Sequence, residues 1–187
     1  MDALDPVLVW IARLAIVLLF GAAGLSKLRQ PVAFSEAVAA YGLLPRRAVA
    51  PAALAMAAAE VIGAALLLWP AGRLAGAALL GALLLIFSAA IAINIARGRT
   101  DVDCGCWLFG AEQVANKGRL GVSTLARNGG LAALLVVASL SAETRLLGLL
   151  DWLTVATGTL AAVGLFAMAV QLTATGRQLA SLRAGGS

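Results

Sequence analysis

Five stretches of this 187-residue chain are dominated by Ala, Leu, Val, Ile and Gly: Val7–Gly24, Pro51–Trp69, Leu74–Ile95, Gly121–Leu140 and Trp152–Thr173. Each is long enough to cross a bilayer, because roughly 20 residues rising about 1.5 Å each cover a hydrocarbon core about 30 Å thick. In lipid every backbone N–H and C=O must be satisfied within the protein, which leaves helices or closed barrels. The runs are rich in Ala and Leu and do not alternate as barrel strands do. The expected fold class is therefore all-α, a polytopic transmembrane helical bundle of about five spans. It forms a single domain over residues 1–175, with a polar C-terminal tail over 176–187. Composition agrees: 62% of residues are apolar and 12% charged, against about 25% charged in soluble domains. Asp2 and Asp5 precede the first run and Arg13 interrupts it, so it reads as a span and not as a signal peptide with a basic n-region.

The connections differ in length. Trp69-Pro70-Ala71-Gly72-Arg73 is a tight turn that makes the second and third spans antiparallel neighbours. Between Ser26 and Arg47, Pro31 suits the first turn of a helix, Phe34, Val38 and Tyr41 recur at helical spacing, and Gly42 and Pro45 end the pattern. This predicts a short amphipathic helix at the membrane surface. The longest polar segment, Ala96–Leu120, carries both cysteines. Gly72 and Gly76 have the small-xxx-small spacing that lets helix backbones approach in lipid; packing within one chain is favoured over a homodimer seam, and the oligomeric state stays open.

Basic residues set the expected orientation. Lys27, Arg29, Arg46 and Arg47 flank the first connection, Arg97, Arg99, Lys117 and Arg119 the third, and Arg177 and Arg183 lie in the tail. Only Arg73 and Arg145 lie in the opposite connections. The positive-inside rule then gives a multi-pass protein of the cell membrane with its N-terminus outside, its C-terminus inside and the cysteine segment on the cytoplasmic side. The basic residues form no stripe interleaved with aromatics, so nucleic acid is not an expected partner; the lipid bilayer is.

Chemistry has few candidates. Histidine is absent, which excludes a Ser-His-Asp triad, His-ligated haem and His-based zinc sites. Cys104-Gly105-Cys106 is the sharpest signal. Two thiols one residue apart can close on each other, Gly105 leaves the backbone free to bend, and a strained ring of this kind is labile and suited to exchange. Arg97, Arg99 and Lys117 favour thiolate, while Asp101 and Asp103 oppose it. Two other readings stay open: free thiols without a role, and half of a tetrahedral metal site completed by Asp101 and Asp103 or by a second copy. Within the spans, an unpaired charge costs about 2.5–3.5 kcal/mol or more. Arg13 and Glu60, counted from the outer ends of their runs, fall at similar depths and are expected to pair, either as packing or as a ligand or proton site. Arg127 and Asn128, early in the fourth run, approach the depth of the cysteine segment, where Arg127 either supports a thiolate or snorkels to the interface. Lys27 reads as a snorkelling anchor.

These residues resemble the methylamine utilisation protein MauE family within the wider DoxX-like group of membrane proteins. The resemblance rests on Gly21-Ala-Ala-Gly24-Leu-Ser-Lys27-Leu-Arg29 with Pro31, Phe34, Tyr41 and Leu44-Pro45, on Asp103-Cys104-Gly105-Cys106 with Phe109-Gly110, and on Arg127-Asn128. It implies a compact helical bundle that acts in maturing the disulfide-rich small subunit of methylamine dehydrogenase beside a thioredoxin-like partner, MauD. Trp107-Leu108 intervene where the family tends to run from the second Cys straight into Phe-Gly. The implied task lies outside the cytoplasm, where disulfides persist, whereas the charge distribution puts the cysteines inside. The leading expectation is a thiol–disulfide redox protein using Cys104 and Cys106, with a lipid quinone as the electron acceptor that analogy with other membrane disulfide enzymes suggests. A non-enzymatic assembly factor and a small transporter using Arg13 and Glu60 are the alternatives.

Overall fold

A computed structural model of the chain describes residues 4–99, 122–141 and 146–185. These residues form six helices and no strand: α1 (Pro6–Arg29), α2 (Pro31–Ala40), α3 (Arg46–Leu68), α4 (Arg73–Ala96), α5 (Val122–Ser139) and α6 (Leu149–Gly185). Four of them, α1, α3, α4 and the Leu149–Leu172 part of α6, are long and apolar enough to cross a membrane. The 18-residue α5 covers about 27 Å and packs along α1 and α4. The fold is thus the expected polytopic helical bundle, with four helices long enough to cross in place of the five expected spans, and the shorter apolar α5 packed among them.

Local chemistry explains where the helices start and stop. The Asp5 side chain accepts a hydrogen bond from Val7 N at 2.8 Å, capping a helix whose first residue is Pro6, where the missing N–H costs nothing. Gln30 separates α1 from α2, and Pro31 starts α2 in the same way. At the end of α4, Gly98 adopts φ 70°. Its N–H donates to Ile95 O at 2.9 Å, and Arg99 N donates to Asn94 O at 2.9 Å. This paired return of N–H groups onto the last turn needs a residue that tolerates the left-handed region, hence glycine. Trp69–Gly72 closes the predicted tight turn, with Gly72 N donating to Trp69 O at 3.0 Å.

The bundle is held by close backbone approach more than by large side chains. A Cβ on Gly76 would lie 2.7 Å from Gly63 O and 2.9 Å from Leu67 N. The Gly72/Gly76 pattern therefore serves the α3–α4 contact inside one chain. Gly24 does the same between α1 and α3, and Gly158 meets Ile11 between α6 and α1. Around these contacts Ile16, Phe20, Leu67, Leu80, Leu84 and Leu135 form the core. Outward faces are apolar as well: Leu54, Ile62, Leu85, Leu160, Leu165 and Leu172 are exposed. A soluble protein does not leave so many large apolar side chains in water, and lipid satisfies them.

Two expectations are refined. The predicted surface helix α2 exists, too short to cross, but it is no loose amphipath: Phe34 is buried against Ala53 and Ala57 of α3, with Val38 and Met56 beside it. The polar tail expected over 176–187 is not separate from the last span: helix α6 continues to Gly185, and Thr173–Gly185 contains no proline to stop it.

Candidate functional site

The polar residues inside the spans are arranged by the stagger of α1 on α3. A Cβ on Gly24 would come within 3.0 Å of both Ala57 O and Glu60 Cβ, and within 2.8 Å of Val61 Cγ2, so only glycine lets the helices meet here. That contact sets Gly24 level with Glu60. Lys27, one helical turn further along α1, then points its ammonium at the Glu60 carboxylate, and Nζ donates to Oε1. The two side chains are 3% and 2% exposed. The ammonium also lies 5.0 Å from the Phe34 ring centroid and 5.1 Å from that of Phe87. One carboxylate and two aromatic faces replace its hydration shell.

This arrangement corrects two expectations. Glu60 pairs with Lys27 and not with Arg13, and Lys27 is a buried partner, not a snorkelling anchor. The reason is stagger. Arg13 lies 11 residues before Gly24, about 16 Å along α1, whereas α3 ends about 12 Å beyond Glu60. Arg13 therefore reaches past the end of α3 to the C-terminus of α5. Its Nε donates to Ala138 O and its Nη2 to Leu140 O, both at 3.1 Å, satisfying carbonyls that the helix end leaves open. Its guanidinium stands 5.0 Å over Trp10, whose ring meets Trp152 at 5.7 Å. With exposed Trp69, these tryptophans gather at one end of the bundle, as a membrane-interface belt does. Arg29, Arg46, Arg47, Arg97 and Arg99 mark the other end.

Beside the Lys27–Glu60 pair is a recess of about 50 Å³ lined by Phe20, Phe87, Arg127, Asn128 and Phe166, among others. Asn128, itself buried, donates from Nδ2 to Ser88 Oγ at 3.1 Å. Glu60 Oε2 is buried and accepts no hydrogen bond from any described residue. Arg127 and Asn128 line the same recess as Lys27 and Glu60; their expected approach to the cysteine segment falls on residues outside the described ones. Arg97 caps α4 at the surface and takes no part in the recess. Asp103, Cys104, Gly105 and Cys106 lie outside the described residues. Among the described residues no group of acidic, Cys or His side chains could hold a metal ion.

Lys27, Phe34 and Phe87 are the residues that sequence reasoning undervalued. A signal was present. Ala53, Ala57 and Glu60 share one face of α3, and Gly24 and Lys27 one face of α1. On both helices a small residue lies one turn from the charge.

The sequence family described as methylamine utilisation protein MauE matches residues 5–141. The chain is similar to the methylamine utilization protein MauE of Paracoccus versutus, at 37% identity over 163 residues covering 87% of this chain and 83% of that protein. It is also similar to those of Paracoccus denitrificans, 39% identical over 110 residues or 59% of each chain, and Methylophilus methylotrophus, 42% identical over 102 residues or 54% of each chain. The matches to these last two relatives span only a little over half of their lengths. No solved structure matches the chain. A bundle of lipid-facing apolar helices, matched across most of its length by one sequence family, makes this chain a multi-pass membrane protein belonging to the MauE family.

Proposed function

We propose that this chain acts in methylamine utilisation as a membrane thiol–disulfide exchange protein that matures a disulfide-containing partner. The observation that carries this reading is the Cys104-Gly105-Cys106 pair, the chain's only cysteines, within the stretch matched by the MauE family. A thiolate of a reduced thioredoxin-like partner, of the MauD kind, attacks the Cys104–Cys106 disulfide. One S–S bond breaks, a mixed disulfide forms, and a cysteine thiolate leaves. The partner's second thiolate then resolves the mixed disulfide, so the partner leaves oxidised and Cys104 and Cys106 remain as a dithiol.

Trapping tests the reading. Cys104→Ser and Cys106→Ser single variants should each be examined for a covalent, reductant-sensitive adduct with a thioredoxin-like protein. The expected result is an adduct with one of them and loss of partner maturation with both. Normal maturation by the double Ser variant refutes the redox role and favours a non-enzymatic assembly factor.

A further inference from the structure

The geometry points to a binding site for an isoprenoid quinone, entered from the lipid between α5 and α6. The two helices both pack on α1 but leave a cleft of about 540 Å³ between them, walled by Leu134, Ala162, Leu165 and Ala169 and reaching Arg127. Leu19, Arg127, Leu131 and Phe166 line both this cleft and the recess holding Lys27 and Glu60. A mainly apolar passage thus leads inward to a small, mainly apolar recess at whose wall stand four polar side chains, Lys27, Glu60, Arg127 and Asn128. That is the shape of a site for a molecule with an apolar chain and a compact polar head.

Depth selects the head. Glu60 lies about 21 Å from the start of α3 at the basic end and about 12 Å from its other end. A phospholipid head group stays at the interface, outside the hydrocarbon core, and does not reach this level. A quinone ring dissolves in the hydrocarbon. Phe166 lines both the cleft and the recess and suits a planar ring by offset or edge contact, with Phe20 and Phe87 lining the recess beyond it. Two cationic side chains, Lys27 and Arg127, stand at the recess beside Glu60, and cationic donors favour an electron-rich carbonyl oxygen. The recess itself accepts that oxygen or a few waters, while the cleft holds the ring and the first part of the tail. Glu60, whose Oε2 accepts no hydrogen bond from a described residue, lines the recess at the level where an oxygen gains a proton on reduction.

This site deepens the redox reading and rests on it for its role. Forming the Cys104–Cys106 disulfide releases two electrons and two protons, and one quinone takes up both to become a quinol. The binding site itself is independent of the cysteines.

Two adjacent glycines provide the test. Gly130 lines the α5–α6 cleft, and Gly129 lines a different one between α4 and α5; a Cβ on either meets nothing within 4 Å. The full chain is placed in quinone-free nanodiscs and titrated with decylubiquinone, with an azido-quinone used to map the contact by cross-linking. Saturable binding is expected, with cross-links on α5 or α6. Gly130→Phe should weaken it about tenfold or more, close to 1.4 kcal/mol or above, while Gly129→Phe leaves it unchanged. No saturable binding, or equal loss with both variants, overturns the site. If the wild-type chain binds no quinone but the Cys double variant fails in maturation, the site alone is wrong. If quinone binds and that variant still supports maturation, the site stands and the redox reading falls.

Discussion

Removing one member of the Lys27–Glu60 pair should be far more costly than removing both. The pair is buried, with side chains 3% and 2% exposed. Breaking such a pair costs about 3–5 kcal/mol, because the survivor is left as an uncompensated charge, whereas replacing both by apolar groups is often neutral. The two single variants should differ. In Glu60→Leu the Lys27 ammonium keeps the Phe34 and Phe87 faces, each worth about 0.5–2 kcal/mol, so the loss falls near the lower bound, about 3 kcal/mol. In Lys27→Met the carboxylate loses the sole hydrogen bond that Oε1 has from a described residue while Oε2 already has none, so the loss lies near the upper bound, about 5 kcal/mol. The double variant should recover most of both losses. Reversible unfolding of the four proteins, followed by steric trapping or denaturant titration in one lipid or detergent system, closes the cycle. We expect a coupling of at least about 3 kcal/mol, well above the roughly 0.5 kcal/mol within which independent sites add. The same cycle on Arg13→Met and Glu60→Leu should be additive within that limit. Additivity for Lys27 and Glu60, or strong coupling between Arg13 and Glu60, refutes the pairing and the helix stagger from which it follows.

Other outcomes follow from the same geometry. Gly24→Val forces a side chain into the α1–α3 contact and should cost about 1–3 kcal/mol, while Gly21→Ala, where a Cβ meets nothing within 4 Å, should be neutral or slightly stabilising; thermal unfolding of the two variants checks this. Arg13→Gln removes charge-assisted bonds to Ala138 O and Leu140 O and should destabilise by about 1.5–3 kcal/mol, with faster backbone hydrogen exchange confined to the end of α5. Orientation is open to labelling. By the distribution of Lys and Arg, a membrane-impermeant thiol reagent should modify Cys104 and Cys106 only after cells are permeabilised, and labelling of intact cells would reverse the predicted topology.

What the sequence conveyed and what it withheld divide along a physical line. Run length and composition define a helix one segment at a time, so the spans, the 69–72 turn and α2 could be read directly: Pro6, Pro31 and Gly98 act on their own neighbours. Partners of buried charges depend on how far one helix slides along another, and that is a property of two segments at once. Counting residues from the ends of Val7–Gly24 and Pro51–Trp69 assumed that both runs begin at one membrane level, and so put Arg13 beside Glu60. In the structure Gly24 seats on Ala57 and Glu60. This carries the start of α1 past the end of α3, sends Arg13 to the carbonyls of α5, and brings Lys27 to Glu60. The information was present in small residues and not in the charges. In lipid, helices register where backbones can touch, and a charge then takes whichever partner that register provides. In a chain of this kind, the contact made by the glycine should be located first and the ion pairs read from it. The cleft between α5 and α6 obeys the same logic in reverse. A Cβ on Gly129 or Gly130 would meet no described atom within 4 Å, so there the small residues leave room instead of closing it, and neither of these α5 glycines is used for close backbone packing.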